Sequence, residues 1–160
     1  MTRYTWAALA ALQSSHAHLD AFDLDLSDVP ESSRQAVLIR ELGELHQANS
    51  PCQSFAGTIG FAVDADGVTV SDIGAAERAH ALCILLEDEC SELHDGPGPV
   101  ASAIGYGRAK QAEKDASLLG QIAGLVVASQ GASSDLPRPS AAAVNAVRIR
   151  ALSFRLAIAA

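Results

Sequence analysis

The chain has 160 residues, of which 49% are apolar and 19% charged, a balance that suits a packed core and excludes wholesale disorder. Two independent cores would have about 80 residues each, so we expect a single helical domain over residues 1–160. The net charge of −8 and the 4% of aromatic residues argue against a basic, aromatic-rich nucleic-acid surface.

Two helices are predicted before residue 51. The first begins at Thr5, whose hydroxyl suits the N-cap position, and ends near Leu19. Residues 21–27 alternate between apolar and polar side chains, which is typical of a short strand or an extended arm. A capping pattern at residues 28–31 then begins the second helix, which ends at the Asn-Ser-Pro sequence of residues 49–51.

The middle of the chain contains the only clear β pattern. Residues 58–71 alternate on either side of an Asp-Ala-Asp-Gly turn at residues 64–67, which predicts a β-hairpin. Asp72 is placed to cap the next helix, which we expect to extend to His94. The glycines and prolines of residues 95–99 end that helix.

Two further helices are predicted after this break. A long helix follows the break and ends near Ser129, with a start only after Gly105 and Gly107 as the alternative, and a final helix begins near Ser140. The fold class that follows is mainly α: a single-domain bundle of about five helices with one small β-hairpin at residues 58–71.

One helix face carries every type of side chain that zinc uses as a ligand. The spacing of 3, 4, 3 and 4 residues places this set on one side of the predicted helix: His80, Cys83, Glu87, Cys90 and His94. The set spans about 21 Å at 1.5 Å per residue, so a tetrahedral site for one ion would need ligands from elsewhere. The favoured interpretation is that both cysteines edge the core; a zinc or iron site on this face is the alternative, and otherwise no cofactor is expected.

A second pattern is a ridge of small residues on the long helix. Members recur every four residues, and we name them together the small-residue ridge: Ala112, Ala116, Gly120, Gly124 and Ala128. Such a ridge lets another backbone approach closely. We expect an internal helix to fill the groove, with the last helix favoured for its alanines, and a second copy of the chain as the alternative.

Charge and cysteine content bound the function. Residues 1–95 have four basic and sixteen acidic side chains, whereas residues 96–160 have seven basic and three acidic ones. We expect the two parts to pack together, with a distinct basic tail for an acidic partner as the alternative. Three cysteines exclude complete disulfide pairing and favour a reducing, cytoplasmic location. No apolar stretch approaches the length of about 18 residues needed to span a membrane.

No catalytic motif stands out, so the hypothesis favoured by the sequence is a soluble, acidic, non-enzymatic interaction module. It would act as an adaptor, regulator or inhibitor by binding another protein or by self-association, with no membrane partner and with nucleic acid disfavoured. The alternative is a transition-metal-binding or thiol-sensing bundle that uses the face from His80 to His94.

Overall fold

A computed structural model describes the chain in separate stretches: residues 1–15, 51–72, 74–90, 92–93, 96–97, 106–130 and 141–159, together with residues 28, 30, 32–34, 36–37 and 39–40. This part of the chain is mainly helical with a small antiparallel sheet, as the sequence predicts. The predicted strand at residues 21–27 lies outside the described residues.

Five helices have defined bounds. They are α1 (Trp6–Ser15), α2 (Pro51–Thr58), α3 (Ala75–Cys90), α4 (Tyr106–Gln130) and α5 (Ala141–Ala159). Residues 32–34, 36–37 and 39–40 are helical too, within the predicted second helix. In the described stretches no helix has the length and apolar character needed to cross a membrane.

The predicted hairpin is present and forms part of a three-stranded sheet. Its strands are β2 (Phe61–Asp64) and β3 (Gly67–Val70), joined at the predicted turn. Asp64 Oδ1 accepts hydrogen bonds from the amides of Asp66 (2.8 Å) and Gly67 (3.2 Å), which holds the turn. The third strand, β1 (Thr2–Thr5), was not predicted from the sequence; it pairs with β3 and gives the order β1-β3-β2.

One predicted helix end is wrong, and one helix was not predicted. The predicted end of the second helix near residue 49 lies outside the described residues. Residue 51 begins α2, because proline is well suited to the first helical position, where its missing N–H leaves no hydrogen bond unmade. Helix α3 ends at Cys90, four residues before His94. Beyond it, β4 (Glu92–Leu93) pairs with β5 (Gly96–Pro97) in a small antiparallel ladder, so Leu93 lies on a strand.

The core forms where α3 packs against α4 and α5. Helix α3 belongs to the acidic part of the chain, and the other two belong to the basic part, so the two parts pack together as expected. Leu82 and Leu86 of α3 are fully buried, as are Leu119 and Ile122 of α4 and Val147 of α5. The sheet and α1 close this core with Phe61, Val68 and Leu9.

Candidate functional site

The face of α3 that carries the candidate ligands turns inward. His80 is 8% exposed, Cys83 and Cys90 are each 1% exposed, and Glu87 is partly buried. His94, the fifth member, lies outside the described residues. The first four members therefore lie on one helix face, as their spacing predicts, and that face is part of the core.

A third thiol joins this region from α2. Cys52 is fully buried, and its Sγ lies 3.8 Å from the carbonyl oxygen of Ala112 on α4. The proximity of Cys52 to this region was not predicted, because α2 was not predicted from the sequence. The useful signal was Pro51, which favours the start of a helix and would have placed Cys52 in its first turn.

All three thiols are sealed in the core, and none forms a disulfide. Burial raises the pKa of Cys83 to about 12, and the field of Glu87 adds to this. Burial also raises the pKa of Cys52, with further contributions from Cys83, Cys90 and Asp115. Because the thiolate is the nucleophile and the metal ligand, Cys52 and Cys83 are held in their unreactive form near neutral pH.

Two carboxyl groups near these thiols also have pKa values raised above their ordinary range. Burial raises the pKa of Glu87, and Glu113 and Asp88 raise it further. Burial raises the pKa of Asp115, which is 7% exposed, although a hydrogen bond of 3.0 Å from Gln111 opposes this shift. Within the described stretches, no three His, Cys, Asp or Glu side chains are arranged to hold one metal ion.

The small-residue ridge of α4 is buried along its whole length. At Gly120, an added Cβ atom would lie 3.1 Å from Cys83 Cβ, so the close contact is with α3. The expectation that the last helix would fill the groove is wrong at this position. Helix α5 packs on α3 as well, while α3 occupies the groove at Gly120.

The edge of the sheet is a candidate site that the sequence analysis missed. Strand β1 pairs with β3 on one side, and no described strand pairs with its other side. The amide of Trp6 donates to the carbonyl oxygen of Asp66 at 3.1 Å, continuing the β1–β3 ladder. Hydrogen-bonded positions alternate along an antiparallel pair, so Tyr4 faces β3 and the backbone groups of Arg3 and Thr5 point outward.

Strand β1 is fastened to the hairpin by side chains. The guanidinium of Arg3 forms two hydrogen bonds to Asp64, of 2.7 and 2.8 Å, and one of 3.1 Å to Thr69. This hydrogen bonding lowers the pKa of Asp64 to about 2. The indole of Trp6 donates to the carbonyl oxygen of Ala65 at 2.8 Å, so both ends of β1 are tied to the same hairpin.

Searches against protein-family models, curated proteins and solved structures found no match to this chain.

Proposed function

We propose that this chain is a non-enzymatic acidic interaction module that binds an extended segment of another protein along the outer edge of β1. The open edge of β1 is the observation that carries this proposal. Backbone N–H and C=O groups at a sheet edge are a template for a further strand, and many recognition domains bind extended peptides in this way.

The edge is preorganised for such binding. Arg3 holds the strand to Asp64 and Thr69, and the indole of Trp6 holds the beginning of α1 to the hairpin turn. A strand that is already fixed loses little conformational entropy when a partner pairs with it.

Charge favours a basic partner over a second copy of the chain. The carboxylate of Asp66 lies 3.7 Å from the guanidinium of Arg3 and is 84% exposed, and Asp64 is 45% exposed. These two carboxylates outnumber the single cation of Arg3, and the whole chain has a net charge of −8. Two copies would repel each other, whereas an extended segment with lysine or arginine would be attracted.

Amide hydrogen exchange measured by NMR tests the proposal. The probes are a short peptide of alternating lysine and valine and a matched peptide of alternating glutamate and valine. We expect the lysine peptide to slow exchange at the amides of Arg3 and Thr5, and the glutamate peptide to have little effect. The amide of Tyr4 is the internal control, because it faces β3 and is protected throughout.

Two results would contradict the proposal. If the Arg3 and Thr5 amides are already protected in dilute monomeric protein, the edge is not open to a partner. If neither peptide slows their exchange, strand addition is not the binding mode. Sedimentation velocity over a concentration series tests the choice of partner: a dimer that protects these amides without any peptide would assign the edge to a second copy.

A further inference from the structure

His80 is a buried polar side chain whose Nδ1 has no hydrogen-bond partner within the described part of the chain. The residue is 8% exposed and lies on the face of α3 that packs into the core. A buried polar atom without a partner is costly, because it has lost its hydrogen bonds to water. An ionised imidazole at this position would cost more, since burial penalises charge more than polarity.

The nearest part of α4 offers no countercharge. Cys83 faces Gly120, and the field of Glu113 reaches Glu87, so α3 and α4 are antiparallel. His80 therefore lies beside the part of α4 that follows Gly120. Residues 121–130 contain no ionisable side chain. The charged residues of α4 come before this stretch: Arg108, Lys110, Glu113, Lys114 and Asp115.

Among the residues that the structure describes, the other elements packed against α3 offer no countercharge either. On α5, Arg148 and Arg150 are exposed cations, which would oppose a second positive charge, and the side chain of Arg155 is not described. Helix α2 contributes only the buried thiol of Cys52, and Asp64 of β2 is bound to Arg3.

On α3 itself, the guanidinium of Arg78 is paired with Asp72 at 2.9 Å. Glu77 raises the pKa of His80, but burial lowers it by more, so the net pKa is below its ordinary value of 6.5. The remaining acidic side chains of α3 are Glu87, Asp88 and Glu89, which lie near the end of the helix, about two turns beyond His80.

We propose that His80 is an acid-sensitive latch: uptake of one proton by its imidazole loosens the packing of α3 against its neighbours, so that mild acidification opens the fold. The imidazole gains the proton from water and becomes an imidazolium, with no other bond made or broken. The open state allows this cation to be hydrated. This regulation is independent of the binding function proposed above.

The sign of the pH effect follows from linkage. Because the pKa of His80 is lower in the folded than in the unfolded chain, its contribution to stability is complete above about pH 6.5 and decreases as the pH is lowered. At pH values between the pKa of His80 in the unfolded chain and its lower pKa in the folded chain, protonation of this residue favours unfolding. Its contribution raises the ratio of unfolded to folded molecules about tenfold for each pH unit of acidification. Glu87 and Asp115 act in the opposite direction, because their pKa values are raised in the folded state.

Urea unfolding between about pH 7 and about pH 5, where an ordinary histidine titrates, tests the latch in three proteins. Comparing the wild type with His80→Leu separates the pH dependence due to His80 from that due to the carboxyl groups, since the variant retains every carboxyl group. We expect acidification to raise the unfolded-to-folded ratio more in the wild type than in His80→Leu. Val147→Ala is the matched control, because it weakens the core by the same factor at each pH.

Two outcomes would overturn the proposal. One is that acidification changes the unfolded-to-folded ratio by the same factor in the wild type and in His80→Leu. The other comes from NMR of the folded wild type, which needs no variant: we expect the ring resonances of His80 to titrate below pH 6.5, and titration at or above that value would contradict the latch. If His80→Leu does not fold, His80→Gln provides the same comparison.

Discussion

Thr5 belongs to two elements at once. It is the last residue of β1, and its Oγ1 accepts a hydrogen bond of 3.1 Å from the amide of Ala8 in the first turn of α1. The sequence predicted this N-cap from residue type alone, because threonine satisfies an amide that the helix cannot. No local sequence pattern predicts the strand that precedes the helix, since β1 forms by pairing with β3, more than sixty residues away.

The capping bond of Thr5 predicts a specific loss of stability. We expect Thr5→Ala to lower the free energy of unfolding by about 1 kcal/mol, because the amide of Ala8 loses its partner. Thr2→Ala is the matched control, since Thr2 is exposed in the same strand and caps no helix. Urea unfolding of both variants makes the comparison, and equal losses would show that the cap contributes nothing.

Gly120 and Gly57 predict opposite responses to the same substitution. A Cβ at Gly120 meets Cys83 at 3.1 Å, whereas nothing lies within 4 Å of a Cβ at Gly57. We expect Gly120→Leu to destabilise the fold by about 1–3 kcal/mol through overpacking. Gly57→Leu should be neutral or stabilising, because leucine has the higher helix propensity. Urea unfolding measures both, and a neutral Gly120→Leu would mean that α3 and α4 can separate there without cost.

At the scale of elements, periodicity located the long helices and the hairpin, and the errors lie where short segments depend on distant partners. The helix patterns of α3, α4 and α5 extend over several turns, so each predicts its own burial face. Strands β1 and β4 are too short to show a pattern. Their formation is decided by β3 and β5, with which they pair. The first four candidate ligands lie on one helix face, as their spacing predicts, and His94 lies outside the described residues. Cys52 could not be placed without α2.

The attachment of β1 to the hairpin predicts a measurable titration. We expect the carboxyl of Asp64 to titrate near pH 2 in the wild type and to return toward its ordinary pKa of 3.8 in Arg3→Gln. Because the folded pKa is depressed, this ion pair stabilises the fold above about pH 3.8, and its contribution is lost as the pH falls toward 2. Carboxyl NMR titration provides the measurement.

Thr69→Val is the control for this titration. It removes one hydrogen bond to Arg3 but leaves both bonds between Arg3 and Asp64. Asp64 should therefore still titrate near pH 2 in this variant. An unchanged Asp64 pKa in Arg3→Gln would show that the backbone amides of the turn, and not Arg3, set its value.

For the whole molecule, α3 is the element on which the other parts depend. It contacts α4 through Gly120 and packs on α5, and it carries two of the three buried thiols. Its inward face explains why a pattern with the chemistry of a metal site forms part of the core: free cysteines at the spacing of a helix stripe are also suited to line a packed interior. Reactivity of the thiols therefore reports on the opening of the core.

This dependence predicts how the three cysteines respond to a thiol reagent. With each thiol buried, a chromogenic disulfide should label almost none of them in the native protein and all three in urea. If residues 1–160 form the single domain that the sequence predicts, slow native labelling requires cooperative opening, so Cys52, Cys83 and Cys90 react at closely similar rates. Mass spectrometry of the labelled protein measures each rate separately.

A change in α5 tests this cooperativity at a distance from the labelled residues. Val147 is fully buried on α5, which carries no cysteine. We expect Val147→Ala to lower stability by about 2 kcal/mol and to accelerate labelling of all three thiols by one common factor of about 30, because each reacts only after the same opening. Asn145→Ala, at an exposed position of α5, is the control and should change none of the rates. Acceleration confined to Cys83 and Cys90 would instead show that α3 and α5 open separately from α2, as two cooperative units within the chain.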